Sequence, residues 1–190
     1  MKKYLLAFAL AGCFLSGRSL SGAEITAFDL VKEGNKHVGE EAKGRVAEIR
    51  SERSVASLVP NVWYVVYYDP DATAKATEVK FGAGRKLSVK RPARLLQFAT
   101  GNREMDKAKL KIDSDKALEI ARKEPLLEKL DLQSSQMSLQ HNSDYDVVWK
   151  IRLWAAKLRK PGELADLGQV WVSAEKGTVV KTDLHPDRVN

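Results

Sequence analysis

The chain contains two pairs of similar segments, and this internal similarity is the feature that most limits how it can fold. Residues 62–68 (VWYVVYY) align with residues 148–154 (VWKIRLW), and residues 78–84 (EVKFGAG) align with residues 169–175 (QVWVSAE). The two offsets differ by only a few residues, as expected when one unit has been duplicated and its loops have since changed length. We therefore predict two tandem units of the α+β class, each with a helix and an antiparallel sheet in the same order.

The second unit has the clearer pattern. A helix is predicted over 115–124, with Asp113 or Ser114 as its N-cap. The strongest strand is predicted over 145–158, because its apolar residues alternate onto one face: Val147, Trp149, Ile151 and Leu153. The remaining predicted strands are 132–141 before it, and 169–174 and 178–182 after it; the last two form a hairpin that turns at Gly177.

The first unit repeats this order less clearly. A helix is predicted to begin at 28–31 and to be weakened by Gly34, and strands are predicted at 45–53, 61–68, 77–81 and 87–90. The strand at 62–68 is apolar on both faces, which predicts that both are covered, the outer one by the other unit or by a second protein. A short helix is predicted at 92–99, and the boundary between the units at 92–111.

The N-terminal segment predicts export. Lys2 and Lys3 precede fourteen uncharged residues, 4–17, a run shorter than the roughly 20 apolar residues that span a bilayer as a helix. Cleavage after Ala23 would give a free secreted chain, whereas the lipoprotein-like sequence 10–13 (LAGC) would leave Cys13 as an acylated first residue. The predicted organisation is a signal peptide at 1–23, or 1–12 in the lipoprotein alternative, followed by units at 24–91 and 112–190.

Charge and cysteine content exclude several classes of function. The chain has 32 basic and 25 acidic residues, and removal of Lys2, Lys3 and Arg18 with the signal peptide leaves 29 against 25. This mild excess suits an anionic surface but not a nucleic-acid partner. One Cys excludes both a disulfide framework and a Cys-rich zinc site.

The second unit resembles a PepSY-like domain. The resemblance is carried by residues 112–117 (IDSDKA) with 120–121, by 148–153 (VWKIRL), and by 170–180 (VWVSAEKGTVV). It covers about 110–185 and, through the duplication, extends to about 25–91. It implies a cystatin-like helix-on-sheet fold in an exported or envelope protein that binds or restrains a partner, including a protease. It implies no catalytic residue.

No constellation of catalytic residues is found in the sequence. The three histidines, His37, His141 and His185, are isolated, and the chain has no His-Glu-x-x-His pair, nucleophile elbow or phosphate loop. We predict a non-enzymatic protein without a cofactor or a metal. A cation between His141, Asp144 and Asp146 is a minor alternative to a simple hairpin turn there. Residues 82–86 (GAGRK) are likewise interpreted as a hairpin.

A basic loop is the candidate partner-binding site. Lys157, Arg159 and Lys160 follow Trp154, and an exposed indole beside cations could anchor an acidic peptide, a glycan or a lipid head group. The alternative is a solvated loop with Trp154 tucked beneath it. Two other tryptophans, Trp63 and Trp149, are predicted to lie in the core, while Trp171 is left undecided. The leading hypothesis is an exported binding module; the alternative is a small-ligand or enzymatic cavity between helix and curved sheet.

Overall fold

The computed structural model describes residues 25–92, 104–142, 144 and 146–190. The predicted signal peptide, Cys13 and the predicted helix at 92–99, apart from Pro92, lie outside these residues. The described chain contains the helices α1 (Ala27–Gly34) and α2 (Ser114–Arg122) and the strands β1 (Val46–Ser51), β2 (Val62–Tyr68), β3 (Ala76–Gly82), β4 (Arg85–Lys90), β5 (Leu132–His141), β6 (Val147–Ala156), β7 (Leu164–Ser173) and β8 (Val179–Leu184). The predicted α+β class is confirmed.

The eight described strands form one antiparallel sheet in the order β4-β3-β2-β1-β5-β6-β7-β8. Among the described residues, each half supplies one α-helix and then four strands. The first strands of the two halves, β1 and β5, meet at the centre, where Ile49 pairs with Leu139 and Arg50 with Ser138. The last strands, β4 and β8, form the two edges. The two aligned Val-Trp segments therefore occupy corresponding places, because each lies one strand away from the centre.

Serine side chains extend the contact between β1 and β5 beyond these register pairs. Ser51 Oγ accepts a hydrogen bond from Met137 N at 2.9 Å, and Ser54 Oγ accepts one from Ser135 N at 2.8 Å. Both serines are buried, so their hydroxyls satisfy backbone donors that water cannot reach. The centre of the sheet is thus joined by side chains as well as by backbone pairing.

Both helices pack on one face of the sheet, and the two halves share a single core there. Trp63 and Trp149 are buried, as predicted, and their rings meet edge to face with centroids 6.5 Å apart. Phe28 of α1 lies 6.3 Å from the ring of Trp149, so the helix of the first half packs on a strand of the second. Burying rings of this size stabilises the fold by several kcal/mol, of order 3–5 for each tryptophan lost.

The N-termini of the two helices are joined through α2's N-cap. Asp113 Oδ1 accepts hydrogen bonds from Ser114 N at 2.6 Å and from Phe28 N at 3.1 Å. Ser114 Oγ accepts a third from Ala27 N at 3.0 Å. Because the first backbone N–H groups of a helix have no partner inside it, the pair 113–114 satisfies donors in both halves.

Some predicted boundaries are wrong. The strongest strand spans Val147–Ala156 rather than 145–158, and the strand predicted to start at Gln169 starts at Leu164. An irregularity in the β6–β7 register follows Leu153, and next to it Gly168 has a φ of +96°. The predicted turn at Gly177 is confirmed, with a φ of +66°.

The outer face of β2 is covered from within the first half. Val66 is fully buried. The ring of Tyr64 lies under Arg50 of β1 and Lys80 of β3. The ring of Tyr68 lies under Arg45, the residue before β1. Cover by the other half, one of the two predicted possibilities, is not what these contacts show. Cover by a second protein stays a prediction.

Candidate functional site

The sheet face opposite the helices, which we call the open face, carries a line of cationic and aromatic side chains. One residue from each of seven successive strands pairs across the sheet to make this line, which we call the cross-strand row: Lys80, Tyr64, Arg50, Ser138, Lys150, Trp171 and Lys181. Neighbouring strands lie about 4.8 Å apart, so side chains directly opposite one another on one face are in reach. At each end of the row, an aromatic ring stands between two cations.

In the first half, the charges of the row are neutralised by carboxylates. Arg50 Cζ and Lys80 Nζ lie 4.2 and 4.9 Å from the ring centroid of Tyr64. Arg50 donates to Glu78, and Lys80 Nζ is 2.9 Å from Glu52 Oε1. Each cation at this end therefore has an acidic partner.

Glu48 in β1 and Glu52, the residue that follows β1, have pKa values shifted in opposite directions. Hydrogen bonds from Tyr64 Oη, at 2.5 Å, and from Lys80 lower the pKa of Glu52 below its ordinary value. Burial raises the pKa of Glu48, against the opposing effect of Arg50. This end of the row is a closed electrostatic network.

In the second half, the row has cations without carboxylate partners. Lys150 Nζ and Lys181 Nζ lie 5.6 and 4.9 Å from the ring centroid of Trp171. Within the described part of the chain, neither ammonium forms an ion pair. Contact of an ammonium with an indole is worth about 0.5–1 kcal/mol at an exposed site, and it does not neutralise the ammonium because the ring is uncharged.

A cleft of about 710 Å³ adjoins Trp171 and Lys181. Its apolar lining includes Val148 and Val180, and its polar lining includes Gln140 and Asn142. Acidic and basic residues both border it: Asp144, Asp146 and Glu175, and Lys109, Lys176 and Lys181. The volume lies within the roughly 300–1,000 Å³ of ordinary ligand sites.

The predicted partner-binding residues lie elsewhere on the second half. Trp154 is only 8% exposed, with Arg53 Cζ 4.4 Å from its ring centroid. The prediction that the Trp154 indole is exposed is therefore wrong, because Arg53 covers the ring. Lys157 Nζ and Lys160 Nζ lie 2.8 and 3.1 Å from Glu163, while Arg159 is exposed. Partner binding by this loop stays a prediction.

The minor cation alternative is not supported by the local geometry. Asn142 Oδ1 accepts hydrogen bonds from the backbone N of Asp144 and of Asp146, both at 2.9 Å, which is the pattern of a hairpin turn. His141 lies in β5 and is buried. Among the described residues, no three His, Cys, Asp or Glu side chains are grouped to hold a metal. The 82–86 segment is the β3–β4 hairpin, as predicted.

A smaller cavity of about 190 Å³ lies on the helix side of the sheet. Apolar and polar residues both line it: Ile25, Val59, Trp63, Leu118 and Met137, and Thr26, Ser114, Asp115, Glu119 and Arg122. The hydroxyl of Ser114 already accepts a hydrogen bond from Ala27 N. Thr26 Oγ1 accepts one from Asp29 N, and Glu119 pairs with Lys116 and Lys123. The cavity is also smaller than the roughly 300 Å³ of ordinary ligand sites, so its geometry gives little support to an active site.

Sequence reasoning missed the Lys150–Trp171–Lys181 part of the row. All three residues occupy outward positions of strands whose apolar alternation is readable, and Trp171 stood out as an aromatic residue opposite Val170 and Val172. What brings the two lysines to either side of the indole is the register of β6, β7 and β8, which alternation does not specify.

Comparison with known proteins identifies no relative. No family model matches the chain, and no curated protein or solved structure is significantly similar to it. A search of the described helices finds none with the length and apolar character needed to cross a bilayer.

Proposed function

We propose that the chain is an exported, non-enzymatic binding module of the cell envelope, made of two PepSY-like repeats with cystatin-like folds. Its function is to bind or restrain a peptidase or another envelope protein. The symmetric strand order supports the duplication, since a helix and four strands recur in the same order in each half. The PepSY-like motifs at 112–117, 148–153 and 170–180 fall on the start of α2, on β6, and on the β7–β8 hairpin.

The observation that carries the proposal is the contrast between the two faces of the sheet. The helix side is filled by large side chains that are almost completely buried, including Phe81, Ile49, Trp149 and Leu153. The open face instead presents charged and aromatic groups to solvent. A filled interior with a polar open face favours binding through the surface.

The alternative function, a small-ligand or enzymatic cavity between helix and sheet, has less support. It requires a deep pocket with at least two converging polar groups. The cavity of about 190 Å³ on that side is smaller than ordinary ligand sites, and Thr26, Ser114 and Glu119 in its lining already have partners within the protein. We retain this alternative as an outcome of the test.

The proposed location follows from the N-terminal sequence. A free periplasmic form would start at Glu24, whereas a lipid on Cys13 would attach the module to a membrane. Neither form is proposed to bind nucleic acid. Mass measurement of the N-terminus of the exported protein separates the two: a chain starting at Glu24 without added mass excludes the acylated form.

The test of function is saturable capture from the native envelope fraction. The mature chain is immobilised, and binding of each enriched protein is measured with and without excess untagged chain. We expect at least one envelope protein to be displaced by the competitor and, if it is a peptidase, to lose activity when the chain is added. Absence of any competed protein, or turnover of a small substrate by the chain itself, would contradict the proposal.

A further inference from the structure

We propose that Lys150, Trp171 and Lys181 form a binding site for an acidic segment of a protein partner. In this arrangement, carboxylates of the segment contact the two ammonium groups, and a neighbouring apolar side chain enters the cleft beside Trp171. The inference rests on the proposed binding function and names the chemistry of the partner.

The two ends of the cross-strand row differ in their charge balance. Lys80 at the first end has its carboxylate partner in Glu52, at 2.9 Å. Lys150 and Lys181 at the other end have none among the described residues. Both ends have an aromatic ring between two cations, but only the first end also has carboxylates that neutralise the cations. A partner that supplies carboxylates completes it.

The indole of Trp171 restricts the motion of the two lysine side chains. A free lysine side chain loses up to about 2 kcal/mol of rotamer entropy when it is fixed. Contact of each ammonium with the indole restricts that motion before a ligand arrives, so less entropy is lost on binding. Trp171 acts here as a positioning residue, and the lysines make the contact.

The cleft beside Trp171 favours a polypeptide over a uniformly charged polymer. Val180 is 53% exposed and lines the cleft with Val148, offering apolar contact. Asp144 and Asp146 also border the cleft, and they would repel a chain or surface that is negative throughout its length. A peptide avoids this repulsion because its acidic residues can lie at the lysines and its apolar or neutral residues at the cleft.

The test uses a short dye-labelled peptide in which Glu and Leu alternate, with a Gln-for-Glu version as its negative control. Binding to the mature chain is measured by fluorescence anisotropy. We expect the Glu peptide to bind more tightly than the Gln peptide, and its affinity to fall as salt is raised, because the lysines are solvent-accessible. Equal affinity for the two peptides would overturn the proposal.

Substitutions locate the site on the row. We expect Lys150→Gln and Lys181→Gln each to weaken binding about threefold to fivefold, the range of an exposed ion pair. Lys129→Gln is the matched control, because Lys129 is exposed, lies outside the sheet and has no ion pair among the described residues. Equal weakening by Lys129→Gln would show a general charge effect and overturn the site.

The positioning role of Trp171 has its own readout. Trp171→Leu keeps apolar contact but removes the aromatic ring, so we expect it to weaken binding while leaving the salt dependence nearly unchanged. Loss of the salt dependence would instead mean that the lysines no longer make the contact. Circular dichroism of each variant checks that the fold is retained.

Two further measurements separate the chemistry of the partner from the proposed function. Tighter binding of polygalacturonate, or of vesicles containing anionic phospholipid, than of the Glu peptide would overturn the assignment to an acidic protein segment. If Lys150→Gln/Lys181→Gln still captures the envelope partner competitively, this site is wrong but the binding-module proposal stands. If the wild-type chain captures nothing competitively, the proposed function itself fails.

Discussion

The two ends of the cross-strand row have the same geometry but different charge balance. At one end Tyr64 lies between Arg50 and Lys80, and carboxylates of Glu78 and Glu52 neutralise both cations. At the other end Trp171 lies between two lysines that form no ion pair with any described residue. The same cation–aromatic arrangement can therefore have two roles. Where carboxylates of the protein neutralise the cations it stabilises the sheet, and where they do not the cations are available to bind a partner.

The cores of the two halves, unlike the ends of the row, are not separate. The Trp63–Trp149 contact and the shared N-cap at Asp113 join the halves physically, which predicts that they unfold as one cooperative unit. Differences between the halves should therefore show in binding, whereas loss of core contacts should destabilise both. The following predictions test that division, beginning with the largest effect.

Trp149→Ala should lower the free energy of unfolding by about 3–5 kcal/mol, because it removes a fully buried ring that contacts Phe28 and Trp63 of the other half. Urea denaturation followed by circular dichroism should show a single shifted transition. Trp171→Ala is the control on the open face, with an expected loss of about 1 kcal/mol or less. Two separate transitions in the Trp149 variant would show that the halves unfold independently.

Gly168→Ala should cost about 2 kcal/mol or more. Its φ of +96° disfavours a side chain, and an added Cβ would lie 2.0 Å from the backbone oxygen of Asp183. Gly162→Ala is the matched control, because its Cβ would meet nothing within 4 Å. The β2–β3 register has no equivalent irregularity, so this sensitivity belongs to the second half. Equal thermal stability of the two variants would refute it.

Asp113→Ala should cost about 1–2 kcal/mol, because one carboxylate oxygen serves the N-termini of both helices. Thr26→Ala, which removes the side-chain cap of α1 alone, should cost less. The comparison is made by thermal denaturation at one pH. A larger loss for Thr26→Ala would mean that the shared cap contributes little.

Glu52→Gln should make the first end of the row more like the second. It removes the carboxylate that neutralises Lys80, so we expect a roughly twofold to threefold gain in affinity for the Glu-containing peptide. Stability should change by less than about 1 kcal/mol, because the pair is partly exposed. Glu163→Gln, which removes a carboxylate beside Lys157 and Lys160 away from the row, is the control. An equal gain for both would show only a net-charge effect.

The smallest expected effect is a difference in titration between Glu48 and Glu52. The pKa of Glu52 is lowered, so its contribution to stability is present above pH 4.5, its ordinary pKa, and is lost as pH falls through the folded value. The pKa of Glu48 is raised by burial, so its contribution is present below pH 4.5 and is lost as pH rises through the folded value. Carboxyl ¹³C NMR should show Glu52 titrating at lower pH than Glu48; the reverse order would contradict these contacts.

Much of the fold could be predicted because apolar alternation directly reports which strand face is buried. The strand at 132–141 was predicted with its observed bounds, and Val147, Trp149, Ile151 and Leu153 lie in the core as expected. The start of β7 was missed because Gly168 and the irregularity beside it interrupt the alternation between Leu164 and Gln169. The alternation of apolar residues alone does not reveal that one strand continues through this interruption.

The candidate site was less predictable because it depends on register and on longer-range contacts. The sequence places cations near Trp154, but not the guanidinium of Arg53, which comes from the first half and covers that ring. Likewise, Lys150 and Lys181 are far apart in the sequence, and they come close together at Trp171 only because β7 lies between their strands. Charge patterns along the chain therefore identified basic segments but not which cations remain unpaired.

The order of the strands has a consequence for how such an architecture can grow. The free edges of β1 and β5 pair with each other where the two halves meet, so neither edge is left for a further strand. The strands at the outer edges of the sheet are β4 and β8, the last strand of each half. A third copy would find no free first strand to dock against. A further strand could pair only with the outer edges of β4 and β8, whereas in a solenoid every added unit presents the same surface to the next.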